Sequence, residues 1–146
     1  AINDLRFAFV GFNEWESGAA STTLSQIRAA KSAGHMVVVF AHWGDEYEPE
    51  SHPRQQELAH AFVDAGAELV IGAHPHVIQD SELYSGKYIY YSLGNLFFDQ
   101  YWNDEVLTGL LVSVVFGKNG VERVTEQETY LNRDRRTCLK VIEPGE

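Results

Sequence analysis

The alternation of short apolar runs with helical patterns is the feature of this sequence that most constrains its fold. Four apolar runs are typical of buried strands, and they cover residues 5–10, 36–41, 68–71 and 88–91. Helical patterns separate the first three of these runs. The order strand, helix, strand, helix, strand predicts an α/β fold, a layered and mainly parallel sheet with right-handed crossovers.

Both helical patterns have recognisable ends. The first covers residues 22–33, where the Ser-Thr pair at 21–22 can provide a cap and Gly34 ends the helix. The second begins at Pro53, a residue that the first helical turn tolerates, and stops at Gly66. We therefore expect two crossover helices.

The pattern changes to antiparallel strands near the C-terminus. Apolar runs at residues 110–116 and 121–130 flank the Lys-Asn-Gly turn at 118–120, which predicts a C-terminal antiparallel hairpin. The tail from Asn132 is more basic and ends in Glu-Pro-Gly-Glu. It either wraps around the body or extends away from it.

Composition narrows the functional classes. The formal net charge of -10 argues against nucleic acid as a partner, because binding phosphates needs a lysine or arginine face. It would also repel an anionic substrate unless a bound cation reversed the local field. The single cysteine, Cys138, excludes an intramolecular disulfide and a thiolate cluster but leaves the redox compartment open. No apolar run approaches the roughly 20 residues that span a bilayer.

Length and the position of the first strand bear on domain organisation. With 146 residues, 45% of them hydrophobic, the chain can form one domain with a sizeable core. The first predicted strand begins only a few residues after Ala1. We therefore interpret residues 1–146 as a single C-terminal portion of a larger domain.

Three of the six histidines follow predicted strands. His42 ends the run at 36–41, and His74 and His76 come shortly after the run at 68–71. Ligands of open α/β sheets bind at the carboxyl ends of the strands, and neutral imidazole is the commonest metal ligand. Alternate residues of an extended chain share a face, so the histidine pair can point at one ion. The sequence predicts a metal site here.

Each histidine also has a structural interpretation, because a histidine at a strand end is often only a hydrogen-bonded polar residue. The occurrence of three at neighbouring strand ends favours ligation. Gly72 is predicted to let the backbone turn before the histidine pair. His35, His52 and His60 are interpreted as surface, loop and helix-face residues.

An acidic loop follows His42 and contains four carboxylates, Asp45, Glu46, Glu48 and Glu50. Such a loop can simply be solvated. Next to a metal ligand, however, a carboxylate can hold the ion or orient an imidazole, and Glu46 is the preferred candidate.

The segment after the fourth run contains a Gly-Asn turn. Asn95 and Asp99 can point into the same cleft as the histidines, or the segment can be a plain turn. Phe97 and Phe98 are predicted to be core aromatics.

Three motifs give the chain a specific resemblance. HWGDEY at 42–47, DAGAELVIGAHPHV at 64–77 and YSLGN at 91–95 resemble, in this order, the C-terminal half of the bacterial capsule-synthesis CapA family. Its members are also called poly-gamma-glutamate biosynthesis proteins, and the family is similar in fold to calcineurin-like metallophosphoesterases. The resemblance implies an incomplete layered mixed sheet of that type.

The same resemblance implies a ligand set. His42 matches the lone histidine ligand of a two-metal centre that binds Mn, Zn or Fe, and His74 and His76 match its closing pair. Ala73 stands where the family often has another histidine, which leaves the ligating pair open. The aspartate and Asn-His motifs of the N-terminal half do not precede Leu5. A missing N-terminal half, or a complementing chain, is therefore the expected partner.

Two functional interpretations remain. The first is a metal-dependent phosphoesterase-like hydrolase in capsule or poly-gamma-glutamate biosynthesis, which acts on a phosphoester or polymer substrate with His76, Asn95 and Glu46 as catalytic residues. The resemblance implies that the intact protein works outside the cytoplasm or at the cell envelope. The second is a non-catalytic interaction module of a polymer-synthesis complex.

Overall fold

The computed structural model describes residues 5–140. The helices and strands follow one another in this order: β1 Phe7–Asn13, α1 Ala19–Ser32, β2 Met36–His42, α2 Pro53–Ala65, β3 Ala67–Ala73, β4 Ser81–Tyr84, β5 Lys87–Tyr90, α3 Asp104–Leu107, β6 Thr108–Gly117, β7 Gly120–Leu131 and β8 Thr137–Leu139. No helix in this range combines the length and the apolar character that crossing a membrane requires.

The main sheet has five strands in the order β1-β2-β3-β5-β4. The first four in this order run parallel, and β4 pairs antiparallel with β5. The run Val37-Val38-Val39 is buried on both faces of the sheet, which is the pattern of a central parallel strand. The prediction of a mixed α/β sheet is confirmed, and each predicted strand lies within a few residues of the observed one.

The two long helices cover one face of this sheet. Ile27 of α1 and Phe62 of α2 are fully buried against Val37, Val39 and other apolar side chains that point to the same side. Successive residues of a strand point to opposite faces of the sheet, so Val38, which lies between Val37 and Val39 in the chain, belongs to the core on the other face.

A three-stranded antiparallel sheet, β6-β7-β8, covers the other face. Val38, Leu69 and Tyr90 of the main sheet pack there against apolar side chains of β6 and β7. The predicted hairpin is confirmed, with β6 and β7 meeting at Gly117 and Gly120. The tail contributes β8 as far as Leu139, so this part of it packs on the body, while the final Glu-Pro-Gly-Glu lies outside the described residues. The result is a layered body of helices, main sheet and small sheet.

A buried carboxylate joins the two sheets. Glu68 is almost fully buried and accepts from the Lys87 ammonium at 2.6 Å and from the backbone N–H of Val121 at 3.2 Å. Gly120 has φ +124°, and a Cβ there would lie 2.1 Å from a Glu68 carboxylate oxygen. Only glycine therefore lets the β6–β7 turn approach this carboxylate.

The predicted start of the first helix is wrong. The helix begins at Ala19, its cap residue is Gly18 in a left-handed conformation, and neither Ser21 nor Thr22 caps it. Ala19 and Ala20 pack against the core of the helix face, so burial favours the extra turn over a side-chain cap.

One hairpin was missed. β4 and β5 are joined by Ser85 and Gly86, both with positive φ, as a two-residue hairpin turn requires. The Ser-Gly pair between Tyr84 and Lys87 was the signal for it.

The position of Leu69 between the two sheets gives a test of this packing. Leu69 is 2% exposed, whereas Leu83 on the edge strand β4 is 61% exposed. We expect Leu69→Ala to lower the free energy of unfolding by about 2–5 kcal/mol, and Leu83→Ala by less than about 0.5 kcal/mol. Urea denaturation followed by circular dichroism measures both, and equal effects would contradict the assignment of Leu69 to the core.

Candidate metal-binding site

The predicted histidines lie at one end of the main sheet. His42 is the last residue of β2 and pairs in register with Ala73, the last residue of β3, so His74 emerges beside it. The rings of His42 and His74 are 4.7 Å apart between centroids, and those of His74 and His76 are 6.0 Å apart. The carboxyl ends of two neighbouring parallel strands therefore bring these side chains together.

Within residues 5–140, Glu46, His74 and His76 form a group with metal-ligand spacing. Each offers one ligand atom, and these atoms lie within 4.8 Å of one another. Ligand nitrogens and oxygens stand about 2.0–2.2 Å from a bound zinc, so small side-chain adjustments would close the group around one ion. Two imidazoles and a carboxylate suit Zn, Mn or Fe. His42 lies beside this group but is not part of it.

The backbone of the histidine pair is not extended, as the sequence predicted it to be. His74 has φ +105° and His76 has φ +62°, conformations that residues with a side chain adopt rarely. Two hydrogen bonds hold this turn to the β2 side of the site: Trp43 N–H donates to Ala73 O at 3.2 Å, and Tyr47 N–H donates to Pro75 O at 2.8 Å. The site is therefore built on a strained turn, as is common at functional sites.

Gly72 does not serve as the predicted turn residue. It lies within β3, and a Cβ on it would come within 1.9 Å of Tyr91 O and 2.4 Å of Trp43 Nε1. The fully buried Trp43 indole donates from Nε1 to Tyr91 O at 2.9 Å. Glycine is required here because this buried contact passes directly over the strand.

Asn95 lies behind His76. It is 6% exposed, and its Oδ1 is 2.8 Å from Nδ1 of His76. Its Nδ2 donates to Gln100 Oε1 and to Val106 O, which fixes Oδ1 as the acceptor. His76 Nδ1 must then carry the proton, leaving the lone pair on Nε2 for a ligand. This arrangement, in which a ligating imidazole donates its other N–H to a fixed partner, is usual at metal sites.

The electrostatics of His74 favour the same role. Burial, and next the neighbouring His42, lower the pKa of His74 below its ordinary value, while Glu46 acts in the opposite direction. A lowered pKa keeps the imidazole neutral at neutral pH, and a neutral imidazole is the form that binds a metal.

Exposed aromatic side chains border the group on two sides. On the β1 side, Trp15 packs edge-on against His74, with 4.5 Å between the ring centroids. The sequence reasoning did not single out Trp15. On the other side, the ring centroids of Tyr47 and Phe98 lie 6.2 and 4.6 Å from that of His76, and Trp102 packs edge-on against Tyr47. These four aromatic side chains are called the aromatic rim below.

The prediction that Phe97 and Phe98 belong to the core is wrong. They are 70% and 48% exposed, because the chain after Asn95 runs over the surface beside the site instead of entering a sheet. Asp99 is also exposed and is not part of the ligand group.

The remaining histidines have structural partners. His52 caps α2 by accepting from Arg54 N–H at 3.1 Å. His60 contacts Glu82 at 2.5 Å, and His35 contacts Ala30 O at 3.2 Å.

The protein is a layered α/β body whose imidazole and carboxylate groups lie at the carboxyl ends of parallel strands. Open α/β sheets bind their ligands at these strand ends. The family described as bacterial capsule synthesis protein PGA_cap matches residues 8–100. The match covers more than half of the chain, and the chain belongs to this family.

Individual relatives agree with this assignment. The PGA biosynthesis protein CapA of Bacillus subtilis (strain 168) is 44% identical over 100 residues, which are 68% of this chain and 26% of that protein. The capsule biosynthesis protein CapA of Bacillus anthracis is 41% identical over 119 residues, covering 69% of this chain and 29% of that protein. A probable polyglutamine synthesis accessory protein of Mycobacterium tuberculosis (strain CDC 1551 / Oshkosh) is 32% identical over 77 residues, 53% of this chain and 20% of that protein. The chain thus spans about a quarter of the length of the two CapA proteins.

The contact between Asn95 and His76 predicts a measurable effect on metal affinity. Asn95→Ala should weaken binding of Zn²⁺ or Mn²⁺ about 10- to 100-fold, because the His76 ring loses the acceptor that fixes its proton. Isothermal titration calorimetry measures the affinity, with Gln26→Ala on the exposed surface of α1 as the control. Unchanged affinity in a folded Asn95→Ala protein would show that Asn95 does not position His76.

Proposed function

We propose that this chain contributes metal ligands to a metal-dependent, phosphoesterase-like hydrolase that takes part in capsule or poly-gamma-glutamate synthesis. The observation that carries the proposal is the convergence of Glu46, His74 and His76, with Asn95 fixing the proton of His76. Family membership and the names of the CapA relatives support the link to capsule polymer.

The donor set fits a divalent ion, and Glu46, His74 and His76 would hold it. A bound ion supplies Lewis-acid polarisation of a substrate oxygen and acidifies bound water. The ring centroids of His42 and His74 are 4.7 Å apart. We therefore assign His42 to a second ion of a two-metal centre of the calcineurin-like type. Because Nδ1 of His76 is engaged by Asn95, its geometry favours ligation over proton donation to a leaving group.

The complete centre requires further ligands. The group contains one carboxylate and two imidazoles, fewer than two ions need. Because the chain spans about a quarter of its CapA relatives, we assign the remaining ligands to the rest of the domain or to a complementing chain. We place the intact protein at the cell envelope, where capsule polymer is assembled.

A non-catalytic interaction module is the second candidate. The observation that favours it is the aromatic rim, since Trp15 and Trp102 expose more than half of their surface. Exposed aromatic side chains are typical of surfaces that bind partners or polymers. In that case polymer binding would persist after the metal is removed.

The hydrolase proposal predicts separate effects on metal content and on stability. His74→Ala and His76→Ala, made in the longest native form of the protein, should abolish metal retention and the hydrolysis of bis(p-nitrophenyl) phosphate. The same substitutions should change the free energy of unfolding by no more than about 1 kcal/mol, because neither side chain is fully buried.

Metal content is measured by inductively coupled plasma mass spectrometry after dialysis. His35→Ala is the matched control, because His35 is partly buried and lies outside the site. Metal content that stays the same in the His74 and His76 variants would refute the hydrolase proposal and leave the interaction module.

A further inference from the structure

The segment that follows β1 borders the metal group. β1 pairs in register with β2 up to Asn13 and His42, and the next residue, Glu14, donates from its backbone N–H to His42 O at 3.0 Å. The chain therefore leaves β1 beside the carboxyl end of β2, where the site lies. Glu14 is not one of the three residues with metal-ligand spacing. Its carboxylate contacts the loop after β2 instead.

This carboxylate anchors the loop that carries Glu46. Oε2 of Glu14 accepts from the Gly44 backbone N–H at 2.9 Å, and the contact is partly buried. A hydrogen bond from an N–H to a carboxylate is charge-assisted and stronger than one between neutral groups. Gly44 lies two residues before Glu46. The anchor therefore holds the backbone close to the point at which the ligand carboxylate emerges.

Gly44 is also held by a buried side chain. It has φ +78°, and a Cβ there would lie 2.6 Å from the Gln55 side chain, so glycine is required. Gln55 is 1% exposed, accepts from His52 N–H at 2.8 Å and donates to Gln79 Oε1 at 2.9 Å. The start of the loop thus packs on a fixed amide and is hydrogen-bonded to Glu14.

A second anchor lies on the other side of Glu46 in the chain. Tyr47 N–H donates to Pro75 O at 2.8 Å. Glu46 itself is exposed, so burial does not restrain it. Ordering an unrestrained segment when an ion binds costs conformational free energy, and anchors that hold the segment beforehand reduce this cost. The two anchors that bracket Glu46 are therefore suited to preorganising it.

We propose that Glu14 is a positioning residue for metal binding, which fixes Gly44 and thereby places Glu46 where it can join His74 and His76 on the ion. Without this anchor the loop still carries Glu46 but loses more conformational freedom when the ion binds. The role needs only an acceptor oxygen at the right reach. The inference rests on the proposed function, because it explains how the ligand group of that site is held together.

Calorimetric titration with Zn²⁺, in the longest native form of the protein, tests this role. Glu14→Ala should weaken Zn²⁺ binding about 10- to 100-fold, the usual effect of losing a group that supports a metal ligand. Glu14→Gln should retain most of the affinity, because its side-chain carbonyl still accepts from Gly44 N–H. Glu14→Asp should bind as weakly as Glu14→Ala, because it keeps the charge but is one methylene too short.

Glu16→Ala is the matched control for removal of a negative charge. Glu16 is an exposed carboxylate two positions along the same segment, and its side chain contacts Asn13. This variant should bind Zn²⁺ as the wild type does. Equal affinity in Glu14→Ala and Glu16→Ala would overturn the proposal. Weak binding by Glu14→Gln together with full binding by Glu14→Asp would also overturn it, because the charge and not the anchor would then matter.

A double-mutant comparison shows whether Glu14 acts through Glu46. Glu46→Ala alone should weaken Zn²⁺ binding, because a ligand is lost. Adding Glu14→Ala to Glu46→Ala should cause no further loss, since two residues that act on one interaction are not additive. A loss of the same size in both backgrounds would overturn the proposal, because Glu14 would then act on the histidines or on the fold as a whole.

Hydrogen–deuterium exchange of the metal-free protein, with EDTA present, measures the anchor itself. The backbone amides around Gly44 should exchange faster in Glu14→Ala than in the wild type or Glu14→Gln, because the loop opens more readily. The amides of β3 should exchange at the same rate in all three proteins. Unchanged exchange around Gly44 in Glu14→Ala would refute the role of Glu14.

The two proposals fail in distinguishable ways. Wild-type protein that retains no metal refutes the hydrolase proposal, and this inference with it. Metal retention that depends on His74 and His76, together with a Zn²⁺ affinity that Glu14→Ala leaves unchanged, supports the hydrolase proposal and refutes the role of Glu14.

Discussion

The buried contact of Trp43 with Gly72 and Tyr91 is the constraint on which the site depends. Trp43 follows β2, Gly72 lies in β3 and Tyr91 follows β5, so one indole and its 2.9 Å hydrogen bond join the ends of three parallel strands. The same three strands carry the chemistry, since His42 ends β2, the histidine pair follows β3 and Asn95 follows β5. A side chain at position 72 would collide with both partners. This packing beneath the sheet's carboxyl edge therefore determines how closely the functional groups above it approach one another.

The energetics of the site differ from those of the layers below it. The layers are stabilised by apolar burial on both faces of the main sheet, whereas His74 and His76 hold left-handed conformations that cost about 1–3 kcal/mol each. Hydrogen bonds from Trp43 N–H and Tyr47 N–H hold this turn in place. The acidic loop and the overall charge of -10 add a negative field, which a bound cation would offset.

The sequence predicted the alternating strands and helices of the main sheet, the C-terminal hairpin and the end of the sheet at which the site lies, because apolar periodicity reports burial and strand ends carry ligands. It did not predict that the hairpin belongs to a separate sheet that covers the other face. It could not predict how the histidine pair turns, because nothing local to His74 or His76 specifies a positive φ. It assigned Gly72 to a turn, since its actual role depends on Trp43, 29 positions away in the chain. Trp15 was not singled out for the same reason, because only the pairing of β1 with β2 brings it beside His42 and His74. The Ser-Gly turn of the β4–β5 hairpin, by contrast, could have been recognised from the sequence alone.

We propose that Glu46, His74 and His76 together hold one divalent ion. Anomalous diffraction from crystals soaked in Mn²⁺ or Zn²⁺, with data collected on both sides of the metal absorption edge, tests this most directly. We expect an anomalous peak about 2.0–2.2 Å from one atom of each of these three side chains, with Asn95 still contacting Nδ1 of His76. An ordered protein with no peak at this position under saturating metal, or with the metal bound only elsewhere on the surface, would contradict it.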